Sequence, residues 1–153
     1  MVEMPVEVQI ASSAVTPSTS DIQHWAQQAL DRSAGDAGEG EVCVRVVDQA
    51  ESRELNERYR HKNSPTNVLS FPAEMDGPFT HVWGDIVVCA PVVHTEAAEQ
   101  DKSPEAHFAH MIVHGVLHLL GYDHQSGTDA EKMESLEKDI LGRLGFGDPY
   151  RGS

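Results

Sequence analysis

Long apolar runs and cysteines are both scarce in this chain of 153 residues. No apolar stretch approaches the ~20 residues that a membrane-spanning helix needs, so we expect no membrane association. The start, MVEMPVEVQIAS, lacks a basic segment followed by an apolar one, and we expect no secretory signal. Cys43 and Cys89 are too far apart for a CxxC metal motif and are expected to be reduced, buried thiols. These absences predict a cytoplasmic protein.

Basic residues are also few, because 11 Lys and Arg stand against 25 Asp and Glu, for a formal net charge of −14. Such an acidic surface repels phosphates, which argues against broad nucleic-acid binding. Four of the basic residues nevertheless fall in one segment, RELNERYRHK. Arg53 and Arg58 alternate there with acidic residues and are typical of a solvated helix face. Arg60 and Lys62 come where that helix is predicted to end.

The apolar pattern places strands mainly in the first half and helices mainly in the second. Asp48 and Glu51 predict a capping box for a short helix to about Tyr59, and a strand closed by Pro91 precedes a helix through Glu96. The predicted strands are VEVQIAS, EVCVRVVD, VLSF and VWGDIVVCAP, and the longest predicted helix runs from Ser103 to Gly121. We predict an α+β fold, a small mixed β-sheet packed with about five helices, as a single domain over residues 1–153 with frayed last residues.

Three histidines lie in one segment, HGVLHLLGYDH, at 114–124. His114 and His118 are four residues apart, so a helix would project both from one face, about 6 Å apart along its axis. Gly121 permits the turn that ends this helix and brings His124 within reach. Three imidazoles with an open fourth position are typical of a catalytic zinc ion. The segment therefore predicts a metal site on a long helix and the turn after it.

The same helix carries His107 and His110, which we interpret as surface or satisfied core residues, although His110 could be a fourth ligand or could contact a ligand. H-x3-H-x2-G-x2-H is also the ligand spacing of metzincin peptidases. Where those enzymes carry a catalytic glutamate, this sequence has Gly115. A peptidase would need another base, such as Asp123, Asp85 or Glu74, so a peptidase is the less favoured hypothesis.

Together with YRHKNSPTNVLSFP and WGDIVV, HGVLHLLGYDH resembles the YbeY family of metal-dependent endoribonucleases, the bacterial rRNA maturation factors. The resemblance runs from about Leu55 to Leu144. It implies one zinc ion held by three histidines, which correspond to His114, His118 and His124. It also implies cleavage of ribosomal RNA, notably at the 3′ end of the small-subunit RNA, and a part in ribosome quality control. The implied partners are RNA and ribosomal particles, and neither DNA nor a membrane is expected.

The resemblance further implies a basic residue that is important for activity, and this position corresponds to Arg60. A guanidinium pairs bidentately with phosphate oxygens and would suit the charge of a transition state. The alternative is a helix C-terminal cation that satisfies the last carbonyls. Lys62 is either a phosphate contact or plain surface.

Four further polar residues are candidates for contact with substrate or with the ligands. Asn67, Ser70 and Asp85 could line the cleft, but Asn67 could equally hold the SPTN turn. Asp85 could also accept a hydrogen bond from a ligand or belong to a turn, and Asp123 could orient a ligand histidine. Three hypotheses remain: a zinc endoribonuclease acting on rRNA, a zinc peptidase or related hydrolase, and a ribosome assembly factor whose metal is structural.

Overall fold

A computed structural model describes residues 6–33, 41–72, 82–120 and 127–147. Four strands and five helices lie within these ranges, which confirms the predicted α+β class. No helix in the described ranges is long and apolar enough to cross a membrane. The elements in chain order are β1 Val6–Ala11, α1 Thr19–Ser33, β2 Glu41–Val47, α2 Gln49–Arg60, β3 Val68–Pro72, β4 Val82–Cys89, α3 Ala90–Glu99, α4 Pro104–Leu119 and α5 Gly127–Arg143.

The four strands form one mixed sheet in the order β1-β2-β4-β3. Strand β2 pairs in parallel with β1 and with β4, whereas β3 runs antiparallel to β4. A parallel pair needs a crossover connection, and the chain makes one through α1 and another through α2 and β3. Strand β3 is therefore at an edge of the sheet, where it contacts α4.

The period-two pattern of the strands divides apolar residues between the two faces of the sheet. Val42, Val44 and Val46 of β2 are fully buried and pack with residues of α1 and α4. The opposite face carries a smaller cluster in which Val87 of β4 packs with Leu55 of α2. Burial on both faces places the sheet between the α1/α4 layer and α2.

Helix α4 begins as the sequence predicts. The Ser103 hydroxyl accepts a hydrogen bond from the Ala106 backbone N–H at 3.1 Å, and Pro104 is in the first turn, where no N–H is needed. Residues 107–113 are buried without a break, and the helix packs on α1, α3, α5 and two strands. Contacts on all sides fix its orientation, so the histidines of α4 stand on a rigid element.

The capping box predicted at the start of α2 is wrong. Asp48 is at the N-cap position, but its side chain makes no capping hydrogen bond. Its carboxylate instead accepts hydrogen bonds from the Ser12 hydroxyl and, at 3.3 Å, from the Ser13 backbone N–H. Glu51 pairs with Arg45 at 2.6 Å. Partners just after β1 and in β2 therefore replace the local pairing that the sequence suggested.

Helix α3 also begins earlier than expected. The sequence predicts a helix through Glu96 that follows a strand closed by Pro91, but α3 starts at Ala90, directly after β4. Proline is tolerated in a first helical turn because its missing N–H would have no partner there. Pro91 therefore opens a helix as well as closing the strand.

Candidate metal centre and active site

Four histidines of α4 form a row along one face of the helix, at 107, 110, 114 and 118. Neighbouring ring centroids are 6.1 Å apart for His107–His110 and for His110–His114, and 4.5 Å apart for His114–His118. His107 and His110 are buried, whereas His114 and His118 are half-buried. The row therefore runs from the core outwards, and its outer pair is the pair predicted to bind the metal.

His114 and His118 line a cavity of about 1120 Å³. Four other residues singled out in the sequence line the same cavity: Arg60, Asn67, Ser70 and Asp85. Lys62 is exposed and is not part of this lining. The predicted ligand His124 and the candidate Asp123 lie outside the described residues, so their roles stay predictions. The cavity is thus lined by strands of the sheet, by the end of α2 and by two histidines of α4.

Glu137 of α5 is fully buried and contacts two of the histidines. Its Oε2 atom accepts hydrogen bonds from His110 Nε2 at 2.7 Å and from His114 Nδ1 at 3.3 Å. Burial by itself raises the pKa of this carboxyl, but the bonds from the two histidines outweigh burial and lower the pKa to about 2. Because a carboxylate only accepts, the His114 proton is on Nδ1, and Nε2 is the ring nitrogen that carries the lone pair a metal requires.

Sequence reasoning missed Glu137. The residue lies four positions after Met133 and three before Ile140, both of which are buried on the inner face of α5. The preceding residue, Leu136, is apolar but only half-buried. The signal that could have identified Glu137 is an acidic residue in register with an apolar stripe, because a buried carboxylate requires partners.

His110, His114 and Glu137 form a group that could hold a metal ion, because their nearest ligand atoms all lie within 4.8 Å of one another. Imidazole nitrogen and carboxylate oxygen suit zinc and several other divalent metals. The members other than His114 are buried, and the His110–Glu137 contact has the length of a hydrogen bond. His114 belongs both to this group and to the predicted triad.

Gly115 holds α4 tightly against the sheet. A Cβ atom at this position would lie 2.8 Å from Cγ2 of Ile86 in β4. The Gly115 carbonyl also accepts a hydrogen bond from the Ser70 hydroxyl of β3 at 3.1 Å. A side chain at this position would meet Ile86, so a glutamate could be placed here only if the Ile86 side chain shifted. The hydrogen bond from Ser70 ties α4 to β3.

Arg60 is the last residue of α2. The hydrogen bonds at this helix end show whether its side chain is needed to satisfy the last carbonyls. The carbonyls of Glu57 and Asn56 accept hydrogen bonds from the backbone N–H groups of His61 and Lys62, at 3.1 and 3.3 Å. His61 adopts the left-handed conformation, with φ 59°, that commonly ends helices. Backbone groups thus satisfy these carbonyls, and the Arg60 side chain lines the cavity.

Two buried polar side chains of α2 fix the segment after Arg60. Asn56 donates to the Ser64 carbonyl at 2.8 Å. The Ser52 hydroxyl donates to the Thr66 carbonyl at 3.1 Å and accepts from the Thr66 N–H at 3.0 Å. These bonds tie the connection between α2 and β3 to the helix. The chain is therefore fixed both before Arg60, by the helix, and after it, by these bonds.

Asn67 is engaged within the protein. Its side-chain oxygen accepts from the Val68 N–H at 2.7 Å, and its amide donates to Glu96 of α3 at 3.1 Å. Glu96 also accepts from the buried His107 at 2.8 Å. Asn67 therefore lines the cavity and also stabilises the turn before β3. His107 is a buried core residue whose Nε2 pairs with Glu96, whereas its buried Nδ1 has no hydrogen-bond partner among the described residues.

Asp85 lies on the α2 side of the sheet, in register with Cys43 of β2 and Phe71 of β3. Partial burial and the nearby Glu7 raise the pKa of the Asp85 carboxyl above its ordinary value. Burial, Asp85 and Glu7 raise the pKa of the Cys43 thiol to about 11. Cys43 and Cys89 are free thiols, and a thiol with such a pKa is a poor nucleophile.

Known proteins resemble this chain over most of its length. The sequence profile of the family described as endoribonuclease YbeY matches residues 7–145. The chain belongs to the endoribonuclease YbeY family. Endoribonuclease YbeY of Pseudomonas putida is 48% identical over 149 residues, which cover 96% of this chain and 93% of the relative. That of Coxiella burnetii is 53% identical over 135 residues, 88% of this chain and 89% of the relative.

A solved structure agrees in fold. The solution structure of a Thermotoga maritima protein superposes with a TM-score of 0.60 at 25% identity, and the match covers 94% of this chain and 99% of that one. Membership in the endoribonuclease YbeY family confirms the resemblance and the predicted enzyme class, a hydrolase of RNA. It also agrees with the predicted role in rRNA processing, and metal dependence is consistent with the family.

Proposed function

We propose that this endoribonuclease uses zinc to cleave single-stranded segments of ribosomal RNA in the cytoplasm, including the 3′ end of the small-subunit RNA, and that it serves ribosome quality control. The observation that supports this is that Arg60 lines the same cavity as His114 and His118. A cation that can bind phosphate would thus share one space with two imidazoles that can bind a metal. We further propose that residues 1–153 form one domain and that the partners are rRNA and ribosomal particles.

The residues that would hold the zinc ion are His114, His118 and His124. The 4.5 Å between the rings of the first two suits a shared ion, and Glu137 fixes the tautomer of His114. A zinc ion bound there supplies Lewis-acid stabilisation of negative charge on phosphate oxygens and acidifies water. The carboxylate that peptidases carry next to the first histidine is replaced by Gly115, packed on Ile86, so the peptidase is not retained.

Arg60 would act on the substrate directly. Its planar guanidinium can pair with two non-bridging phosphate oxygens and can offset the charge that develops on them during cleavage. Hydrogen bonds from α2 fix the segment after Arg60 and so hold the Arg60 backbone in place. Less conformational freedom of Arg60 is therefore lost when RNA binds. Together with Lys62, Arg60 supplies local positive charge in a chain of net charge −14.

One observation favours a second candidate function, a ribosome assembly factor with a structural metal. His110, His114 and Glu137 could hold an ion in a mostly buried position, which is typical of a structural metal rather than a catalytic one. In that arrangement His118 would be dispensable for metal binding. The two candidates therefore differ in which histidine variant releases the metal.

The test is a paired assay on purified protein of known zinc content. Wild type, His118→Ala and His110→Gln would be incubated with structured rRNA fragments and, separately, with a casein-derived peptide mixture. We expect RNA cleavage by wild type, loss of both zinc and cleavage in His118→Ala, and retained zinc in His110→Gln. Zinc lost only in His110→Gln, without RNA cleavage by wild type, would favour the assembly factor. Peptide cleavage without RNA cleavage would overturn both candidates.

A further inference from the structure

One aromatic side chain at the cavity wall is largely exposed. Tyr59 has 57% of its surface exposed and lines the cavity with its neighbour Arg60 and with His114. Ile10 and Val15 are also exposed, but neither belongs to the cavity lining. Tyr59 is therefore an exposed aromatic ring that borders the candidate active site.

The exposed ring is held in place by Phe71 of β3. The two ring centroids are 5.0 Å apart, and the rings meet edge to face at 61°. Such a pair is stabilised beyond its buried area, because the positive edge of one ring meets the negative face of the other. Helix α2 ends one residue later, in the segment tied by Ser52 and Asn56. The ring is thus preorganised, and the contact with Phe71 leaves more than half of its surface open.

The chemistry of an RNA strand matches this pair of neighbours. Bases of single-stranded RNA stack on aromatic side chains, and every base offers a flat face for this contact. A phosphate follows each base along the strand, and Arg60 stands next to Tyr59 in the sequence and in the cavity wall. We propose that Tyr59 is a stacking platform for an unpaired base of the RNA substrate, beside the phosphate that Arg60 binds. This inference rests on the proposed action on single-stranded RNA.

Stacking also gives a physical reason for preferring single-stranded RNA. A base within a duplex already has stacking partners on both sides and cannot lie on a protein ring without being unstacked, which costs free energy. A ring beside the phosphate site therefore favours loops and ends over paired segments. Because all four bases can stack, we expect selection of strand state rather than of sequence.

The experiment measures the dissociation constants of the full chain for single-stranded RNA oligonucleotides, some of which carry one abasic site at successive positions. The variants are Tyr59→Phe, which keeps the ring, Tyr59→Leu, which keeps an apolar contact with Phe71, and Tyr59→Ala. Val15→Ala, at an exposed apolar residue outside the cavity lining, is the control. We expect Tyr59→Leu and Tyr59→Ala to weaken binding roughly tenfold, whereas Tyr59→Phe and the control stay near wild type.

The abasic series separates stacking from a merely structural role. In wild type, one abasic position should weaken binding about as much as Tyr59→Leu does. In Tyr59→Leu the same abasic site should cause no further loss, because the partner of the missing base is already absent. Equal binding by the phenylalanine and leucine variants, or losses that multiply, would overturn the inference. If wild type binds no single-stranded RNA, the proposed function itself is wrong. If wild type binds and the Tyr59 variants bind equally well, only the stacking role of Tyr59 is wrong.

Discussion

The Oε2 atom of Glu137 lies 3.3 Å from Nδ1 of His114, although the two residues belong to different helices. The same oxygen lies 2.7 Å from Nε2 of His110. A carboxylate that accepts from the far nitrogen of a metal ligand orients the ring and makes the other nitrogen a better donor. Helix α5 therefore contributes to the candidate metal centre through a residue that is fully buried and cannot touch the substrate.

Replacing Glu137 by Gln should weaken metal binding while leaving the cavity lining unchanged. The amide is neutral and accepts more weakly, so the ring of His114 loses its fixed orientation, and metal affinity should fall about 10- to 100-fold. Competition with a chromophoric chelator measures this affinity. Glu131→Gln, at an exposed position of the same helix, is the matched control. Equal affinities in the two variants would contradict the positioning role.

The close contact between Gly115 and Ile86 gives a second prediction. The β-methyl group of Gly115→Ala would lie 2.8 Å from Cγ2 of Ile86. Overpacking costs about 1–3 kcal/mol, against about 1 kcal/mol that alanine gains over glycine within a helix. We expect a net loss of up to about 2 kcal/mol in the free energy of unfolding, measured by urea denaturation.

The Ile86→Ala background provides the control for this prediction. It removes the methyl group that the new side chain would meet, so Gly115→Ala should cost nothing there and should even stabilise the helix. The double-mutant cycle then gives a coupling energy of about 1–3 kcal/mol. Additive losses would show that the closeness of α4 to β4 is not what requires glycine.

The buried His107 predicts a dependence of stability on pH. Burial lowers the pKa of His107 below its ordinary value of 6.5, and the hydrogen bond to Glu96 only partly opposes this effect. Between the folded pKa and 6.5, the unfolded chain binds a proton that the folded protein does not. The contribution of His107 to the free energy of unfolding is therefore present above pH 6.5 and is lost as the pH falls through this window.

His107→Gln isolates this contribution, because it replaces the buried imidazole with a side chain that does not titrate. The difference in the free energy of unfolding between wild type and variant should shrink as the pH falls from about 7.5 to about 5. His24→Gln, at an exposed position of α1, is the control and should leave the difference nearly constant. A constant difference for His107→Gln as well would show that His107 is not held neutral by burial.

Local sequence signals predicted those parts of the fold that depend on local chemistry. Ser103 and Pro104 mark the start of α4, because capping needs only the residues of one turn. The alternation of Val42, Val44 and Val46 identifies the buried face of β2, because a strand repeats every two residues. The regular spacing of His114 and His118 likewise placed both on one face of a helix.

Interactions between distant segments escaped the same reasoning. Asp48 and Glu51 have capping-box spacing, but Ser12 and Arg45 bind their carboxylates, and neither partner lies in the helix. Glu137 is separated from His114 by 23 positions, and only the packing of α5 on α4 brings them together. The missed parts of the site are therefore those in which a polar residue is satisfied across elements.

The role of Arg60 is tested by comparison with Arg58, which lies on the same helix. Arg58 pairs with Glu54 at 3.6 Å, is exposed and is not part of the cavity lining. Arg58→Glu and Arg60→Glu change the net charge equally, so a long-range electrostatic effect on RNA would be similar in both. If Arg60 contacts the reacting phosphate, only Arg60→Glu should abolish RNA cleavage, and both variants should keep their zinc.

Arg60→Lys then separates charge from geometry. Lysine keeps the positive charge but cannot pair with two phosphate oxygens at once, because its ammonium group is a point charge. Losing one charge-assisted hydrogen bond that forms in the transition state should lower kcat about 10- to 100-fold with little change in KM. Single-turnover cleavage of an rRNA fragment measures this split. If Arg60→Lys raises KM and leaves kcat unchanged, Arg60 binds the RNA backbone without stabilising the transition state.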